Sequence, residues 1–201
     1  MESIFSDGCN KEKFEAIIIM QFFEYVFQDI NLRYNGRGIF KNILRYYRLP
    51  AVKLLVNYRL TQYLRDNGWK NLVSISRLHL ERLNSRYLTL LDDKLDCGSG
   101  LLFPHNGPFI INGSSKIGKM CTIHPNVLIG GNRGKGFPTI GNNVFIGNGA
   151  KIIGDCKVGD WVFISPGAMI TKNIPNESVV GFGINNILSN DGKKHVKLYL
   201  K

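Results

Sequence analysis

A period of six governs the chain from Ile111 to Ile174. An aliphatic residue opens each unit, at Ile111, Ile117, Ile123, Ile129, Ile140, Ile146, Ile152, Val158, Ile164 and Ile170. Four residues later comes a small or β-branched side chain: Ser115, Cys121, Val127, Val144, Ala150, Cys156, Val162, Ala168 and Ile174. Glycine often takes the second place, at Gly118, Gly130, Gly141, Gly147 and Gly159. An α-helix repeats every ~3.6 residues and a two-faced strand every ~2, so neither explains this pattern. It predicts a solenoid in which each hexad forms one flat side and three hexads complete a triangular coil. Inward aliphatics then stack from coil to coil, and glycine or asparagine takes the tight corners.

Two irregularities interrupt the phase. Ile129 and Ile140 are eleven positions apart where six would do, so five residues are extra. The segment from Gly130 to Thr139 is therefore expected to leave the prism as a loop. Upstream, Leu91, Cys97 and Phe103 carry the phase, and the unit opened by Phe103 then runs eight residues before Ile111. That two-residue bulge holds Pro104, His105, Asn106 and Gly107. A local departure from a strict repeat is where function is expected. Histidine, with an unperturbed pKa of about 6.5, is an apt general base near neutral pH. The alternative reading of His105 is a turn histidine bonded to backbone. His124, in Ile123-His124-Pro125, reads as a structural corner residue. His79 and His195 fall on a helix and in the tail. The solenoid offers two histidines where a zinc site of converging histidines needs three, so no metal is expected.

Outside the repeat, residues 1–10 read as a flexible terminus and 11–90 as a basic helical domain. The solenoid is expected over 91–180 and a polar basic tail over 181–201. Helices are expected near 11–31, 51–65 (ended by Asn67-Gly68) and 72–85. Between Arg33 and Arg86 twelve Lys or Arg face only Asp66 and Glu81, and the whole chain carries a formal charge of +11. Arg33, Arg37, Lys41, Arg45 and Arg48 would form a stripe on a helix. The stripe is either a solvated face or a means of attachment to anionic lipid or a phosphorylated glycan carrier. Tyr46, Tyr47, Tyr58 and Tyr63 suit a membrane interface or helix packing. Nothing resembles a nucleic-acid module. The 14–30 segment is interrupted by Glu15, Gln21, Glu24, Gln28 and Asp29, too polar for a spanning helix. The N-terminus lacks a secretory pattern, so a cytoplasmic protein is expected, with peripheral contact at the inner membrane face left open. Cys97, Cys121 and Cys156 fall at inward positions and read as buried thiols of a reducing compartment.

The hexads, together with IGNGAKIIGDCKVGDWVFISPGAMITKNIP, resemble the left-handed β-helix acyltransferases of the hexapeptide-repeat superfamily. Within it the likeness is to serine acetyltransferases and to sugar O-acetyltransferases of surface-polysaccharide pathways, over roughly residues 40–185. The resemblance, not the period, implies the left-handed winding, since ordinary parallel crossovers are right-handed. It implies a homotrimer with acetyl-CoA held between neighbouring prisms and used as co-substrate. His105 matches the family's base, which takes the proton of the acceptor hydroxyl for direct transfer. Gly131 matches a glycine near the acyl arm; Asn148 and Pro166 match positions whose backbone binds pantetheine. Thr171 and Lys172 match a pair near the nucleotide, and the loop residues Arg133 and Lys135 would help neutralise its phosphates. An N–H near Gly131 or Asn148 is a candidate oxyanion donor.

Three departures bear on the acceptor. Serine acetyltransferases carry an aspartate where this chain has Pro104, an imidazole-orienting aspartate where it has Leu90, and a second active-site histidine where it has Phe137. A serine ammonium or carboxylate would lose its partners there. The expectation is therefore an O-acetyltransferase acting on a sugar hydroxyl in capsule or lipopolysaccharide assembly. The alternatives are a divergent serine O-acetyltransferase and a non-catalytic trimeric scaffold at the membrane. Asp92, Asp93 or Asp96 would have to orient His105.

Overall fold

The computed structural model describes residues 20, 22–30, 48–134 and 136–199. Helical residues 22–30 are followed by α1 (Pro50–Asp66) and α2 (Lys70–Tyr87). Pro50 sits in the first turn of α1, where its missing N–H costs nothing, and Asn67 caps the other end ahead of Gly68 at φ +73°. Among the described residues no helix is long and apolar enough to cross a membrane.

From Thr89 the chain winds about five triangular coils. Strands β1 (Thr89–Leu91), β3 (Phe109–Ile111), β6 (Leu128–Gly130), β9 (Lys151–Ile153), β12 (Ala168–Ile170) and β14 (Gly183–Ile184) form one sheet. Strands β2 (Asp96–Cys97), β4 (Lys116–Ile117), β7 (Thr139–Ile140) and β10 (Lys157–Val158) form the second. The third is β5 (Thr122–Ile123), β8 (Phe145–Ile146), β11 (Phe163–Ile164), β13 (Val179–Val180) and β15 (Ile187–Ser189), the last antiparallel. Register pairs Leu91 with Ile111, Ile111 with Ile129, and Ile129 with Ile152, so the 131–138 loop leaves without disturbing the stack. Every unit-opening aliphatic from Ile111 to Ile170 is at most 3% exposed. The small residues four places on are equally buried and fill the narrow corners of the triangle. Burial pushes the Cys97 and Cys121 thiols up to about 12 and that of Cys156 to about 11, as inert core groups.

The second-place glycines do not turn the corners. Gly118, Gly141, Gly147 and Gly159 have no positive φ; left-handed geometry falls instead on Met120, Asn126, Asn143, Trp161 and Glu177. The glycines allow close approach between coils. A Cβ on Gly118 would lie 2.5 Å from the carbonyl oxygen of Gly141, and one on Gly147 would lie 2.6 Å from the nitrogen of Pro166. Beside them runs a ladder in which Asn142 Oδ1 accepts from the Lys119 N–H (2.8 Å), Asp160 Oδ1 from Asn142 (2.6 Å) and Asn176 Oδ1 from Asp160 (2.9 Å). Gly130, also a second-place glycine, has open space around its missing Cβ. Gly118→Ala should therefore cost about 1–3 kcal/mol in denaturant melts, whereas Gly130→Ala should leave the midpoint nearly unchanged. Equal effects would contradict the close-approach role.

The helices cap the first coil. Tyr58 is fully buried and its hydroxyl donates to the Leu95 carbonyl at 2.9 Å, which fixes it as a packing residue and not an interfacial one. Asp29 and Arg59 form a buried ion pair, Nε to Oδ2 2.9 Å. Asp29 Oδ1 also accepts the N–H groups of Gly100 (2.7 Å) and Leu101 (2.8 Å), while Arg59 donates to the carbonyls of Cys97 (2.8 Å) and Gly98 (2.6 Å). Burial pushes the Asp29 carboxyl up, against the pull of Arg59 and the two amides; Asp29 in turn holds Arg59 protonated despite its burial. Part of the basic surplus is thus internal. Of the expected stripe, Arg33, Arg37, Lys41 and Arg45 lie outside the described residues, as do Tyr46, Tyr47 and Cys9; Arg48 is exposed.

Residues 181–199 differ from the expected polar tail. Beyond β14 and β15 comes α3 (Gly192–Tyr199), which lies on the third sheet. Val196 is buried against Phe145, Phe163 and Val179, so an apolar stripe within a lysine-rich segment covers that face.

Candidate functional site

The bulge comes from two large rings in adjacent inward positions. Phe103 and Phe109 are both buried and stack with centroids 4.3 Å apart and planes at 13°. The chain between them is pushed outward, leaving His105, Asn106 and Pro108 exposed. The Pro108 carbonyl accepts the Asn126 N–H at 2.5 Å, and the missing Cβ of Gly107 would lie 2.7 Å from Cβ of Pro125, so the bulge rests on the next coil. Toward the helices it borders a shallow recess open to solvent. Pro50, Ala51 and Leu54 of α1, Tyr87 of α2, Phe103 and Phe109 supply its apolar wall. Among the described residues, Thr89, His105 and Asn106 supply its polar groups, and Tyr87 is the other ionisable side chain that lines it.

On its other side His105 meets His124, ring centroids 5.5 Å apart and planes at 59°. His124 rests on Phe145 at 4.9 Å. Phe145 stacks on Phe163 at 4.6 Å and meets Tyr199 of α3 at 4.4 Å. Burial, and secondarily the charge of His105, hold His124 below the ordinary histidine value. The sequence pattern marked His124 as a corner residue; the structure brings it to His105. The extra two residues of the bulge do this, because they shift the first coil against the second so that position 105 lies beside the 124–125 corner.

None of the acids considered as partners for His105 serves it. Asp93 is bound by Arg77 through Nε to Oδ1 (3.0 Å) and Nη2 to Oδ2 (2.8 Å), with Arg65 3.8 Å away. Its burial is outweighed by these cations, and the carboxyl is held below its ordinary value. Asp92 accepts the Lys94 N–H in a local turn, and Asp96 faces Lys116 at 3.9 Å on the solvent side of the second sheet. Leu90 points outward opposite Ile110, about half exposed.

The other candidates divide between two edges of the prism. Asn148 and Pro166 lie above the 124–125 corner on the edge that carries His105: the Gly149 N–H bonds the Pro125 carbonyl (3.0 Å) and the Gly167 N–H that of Asn148 (2.9 Å). Both side chains are exposed. Gly131, Arg133, Thr171 and Lys172 follow β6 and β12, at the far edge of the first sheet. Gly131 lets the Phe137 ring approach, since its Cβ would lie 2.7 Å from Cε1. The N–H groups of Thr171 and Lys172 are taken by Asn185 Oδ1, at 2.8 and 3.2 Å. Lys135 lies outside the described residues. Among the described residues no three His, Cys, Asp or Glu side chains converge as a metal site.

The bacterial transferase hexapeptide (six repeats) family matches residues 137–172. A serine acetyltransferase of Helicobacter pylori is 33% identical over 135 residues, covering 64% of this chain and 75% of that protein. The chain belongs to the hexapeptide-repeat acyltransferases, on their serine acetyltransferase-like branch. Other members are similar over shorter shares of their length. The serine acetyltransferases of Synechococcus elongatus (31% identity, 65% of this chain) and Buchnera aphidicola (32%, 73% of this chain) are each matched over 54% of their own length. This hexapeptide-repeat chain thus spans about half of those relatives. Among solved structures, serine acetyltransferase isoform 3 of Entamoeba histolytica, in complex with cysteine, superimposes with a TM-score of 0.68 at 26% identity, covering 82% of this chain and 59% of that one. The Neisseria gonorrhoeae enzyme in complex with serine gives 0.72 at 20% identity, over 87% and 72%, a likeness of fold. The coil is the left-handed parallel β-helix of this family.

Proposed function

We propose that the chain is an acetyl-CoA-dependent O-acetyltransferase of the serine acetyltransferase type, with His105 as general base. The observation that carries this reading is an exposed imidazole on the one bulged corner, beside a recess and on the same edge as Asn148 and Pro166. His105 takes the proton of the acceptor hydroxyl, whose oxygen attacks the thioester carbonyl. The C–S bond breaks, and the departing thiolate of CoA receives the proton from the imidazolium. Asn148, Pro166 and the far-edge set Gly131, Arg133, Thr171 and Lys172 would hold the donor. The two sets flank the first sheet, whose outward column of Leu90, Ile110, Leu128, Met169 and Ile184 is interrupted only by Lys151. Such an apolar face suits contact with neighbouring subunits, and supports a trimer with the donor between prisms.

For the acceptor, the relatives favour L-serine, the alternative weighed from the sequence, over a surface-polysaccharide sugar. They lend no support to a glycan acceptor or to membrane contact. A second reading, an uncharged hydroxyl compound, rests on one observation: among the described residues, the recess beside His105 offers apolar walls and no fixed charge for a zwitterion. Release of free CoA thiol, followed with L-serine and with a panel of hexoses and hexosamines, separates them. Turnover with L-serine alone supports the first reading. Turnover with sugars alone supports the second, and thiol release with neither overturns both.

A further inference from the structure

A base that accepts a proton through one imidazole nitrogen needs the other nitrogen held, so that the ring presents the correct tautomer and the imidazolium is stabilised. A carboxylate usually does this. Here Asp93 is committed to Arg77, Asp92 to the Lys94 amide, and Asp96 faces Lys116. Leucine stands at position 90. What the fold does bring to His105 is the ring of His124.

We propose that His124 is the positioning residue of this site, a neutral imidazole that accepts the N–H of His105 and keeps the other His105 nitrogen turned to the acceptor hydroxyl. The role rests on the acetyl-transfer reading above, and the geometry suits it. His124 is half-buried and wedged on Phe145, which Phe163 and Tyr199 hold in turn. It is therefore the fixed member of the pair, while His105 on the exposed bulge is the one free to adjust. At 5.5 Å between centroids the two rings are near enough for a shift of His105 to bring a nitrogen of one ring within hydrogen-bond reach of the other, and catalytic contacts commonly tighten when substrate binds. Phe145 and Pro125 are apolar, so His105 is the titratable group that bears on His124; its charge and burial both favour the neutral ring. When His105 takes the acceptor's proton, His124 faces the new imidazolium as an acceptor and not as a second cation.

His124→Phe keeps a ring on Phe145 and removes both nitrogens; His124→Asn and His124→Gln each restore a single acceptor atom. The readouts are steady-state CoA release and NMR titration of the His105 ring in the full chain. The proposal predicts that His124→Phe lowers kcat about 10- to 100-fold with an unchanged KM for acetyl-CoA and an unchanged melting temperature. One of the two amide variants should recover part of the loss. The His105 ring should titrate as a coupled pair in the wild type and as a single site in His124→Phe. Wild-type kcat in His124→Phe overturns the proposal, as does a His105 titration indifferent to that change. A coupled titration in a protein that acetylates no acceptor leaves the pairing standing and removes the acetyl-transfer reading instead.

Discussion

His105→Ala is expected to slow acceptor-dependent CoA release by roughly 10²–10⁴-fold, the usual contribution of a positioned general base. The fold should be untouched, because His105 is exposed and the packing under the bulge is made by Phe103, Phe109 and Pro125. Melting temperature and oligomer size therefore serve as controls. KM for acetyl-CoA should change little, since the residues assigned to the donor lie on other coils. Such a loss in kcat alone marks an interaction made in the transition state. Full turnover in the variant would remove His105 from the mechanism, and the two-histidine argument would go with it.

The second large effect is on stability. Asp29→Ala should cost about 3–5 kcal/mol, measured from the denaturation midpoint, because it strands a buried guanidinium. Arg59→Ala should cost a similar amount by leaving the carboxylate with only the Gly100 and Leu101 amides. The two losses should not add, since each removes the same pair. A double replacement by apolar residues of similar volume should recover much of the loss. These two side chains join the helical segment to the first coil, so the damage should spread to the recess that α1 builds beside His105. A change below about 1 kcal/mol in either single variant would contradict a buried pair.

How much of this was legible in the sequence depends on whether the information is local. The coil was legible because the same requirement, an aliphatic facing the axis, returns every six residues from Ile111 to Ile170. The bulge was legible for the same reason, as a defect in a strict count. Corner geometry was not. A glycine that turns and a glycine that makes room look alike in sequence, and only the coil-to-coil distance at Gly118 or Gly147 distinguishes them. Asp29 looks like a polar interruption in an apolar helix because its partner, Arg59, is thirty residues away among eleven other cations between Arg33 and Arg86. The role of His124 is not local information, since its closeness to His105 depends on how the bulge shifts one coil against the next. The lysines of the tail mask a helix, although Gly192, Val196 and Tyr199 already follow helical spacing. The three missing polar side chains at Pro104, Leu90 and Phe137 argue for a sugar acceptor and the relatives for L-serine, and the acceptor panel decides between them.

The central claim is that the imidazole on the bulged corner works beside a thioester. A crystal structure of the assembled protein with bound CoA tests it most directly. The account predicts the CoA sulfur within about 5 Å of the His105 ring, near the ~3–3.5 Å of a reactive approach, with the pantetheine arm running along the edge of Asn148 and Pro166. CoA bound at another face, with its sulfur remote from His105, would contradict it.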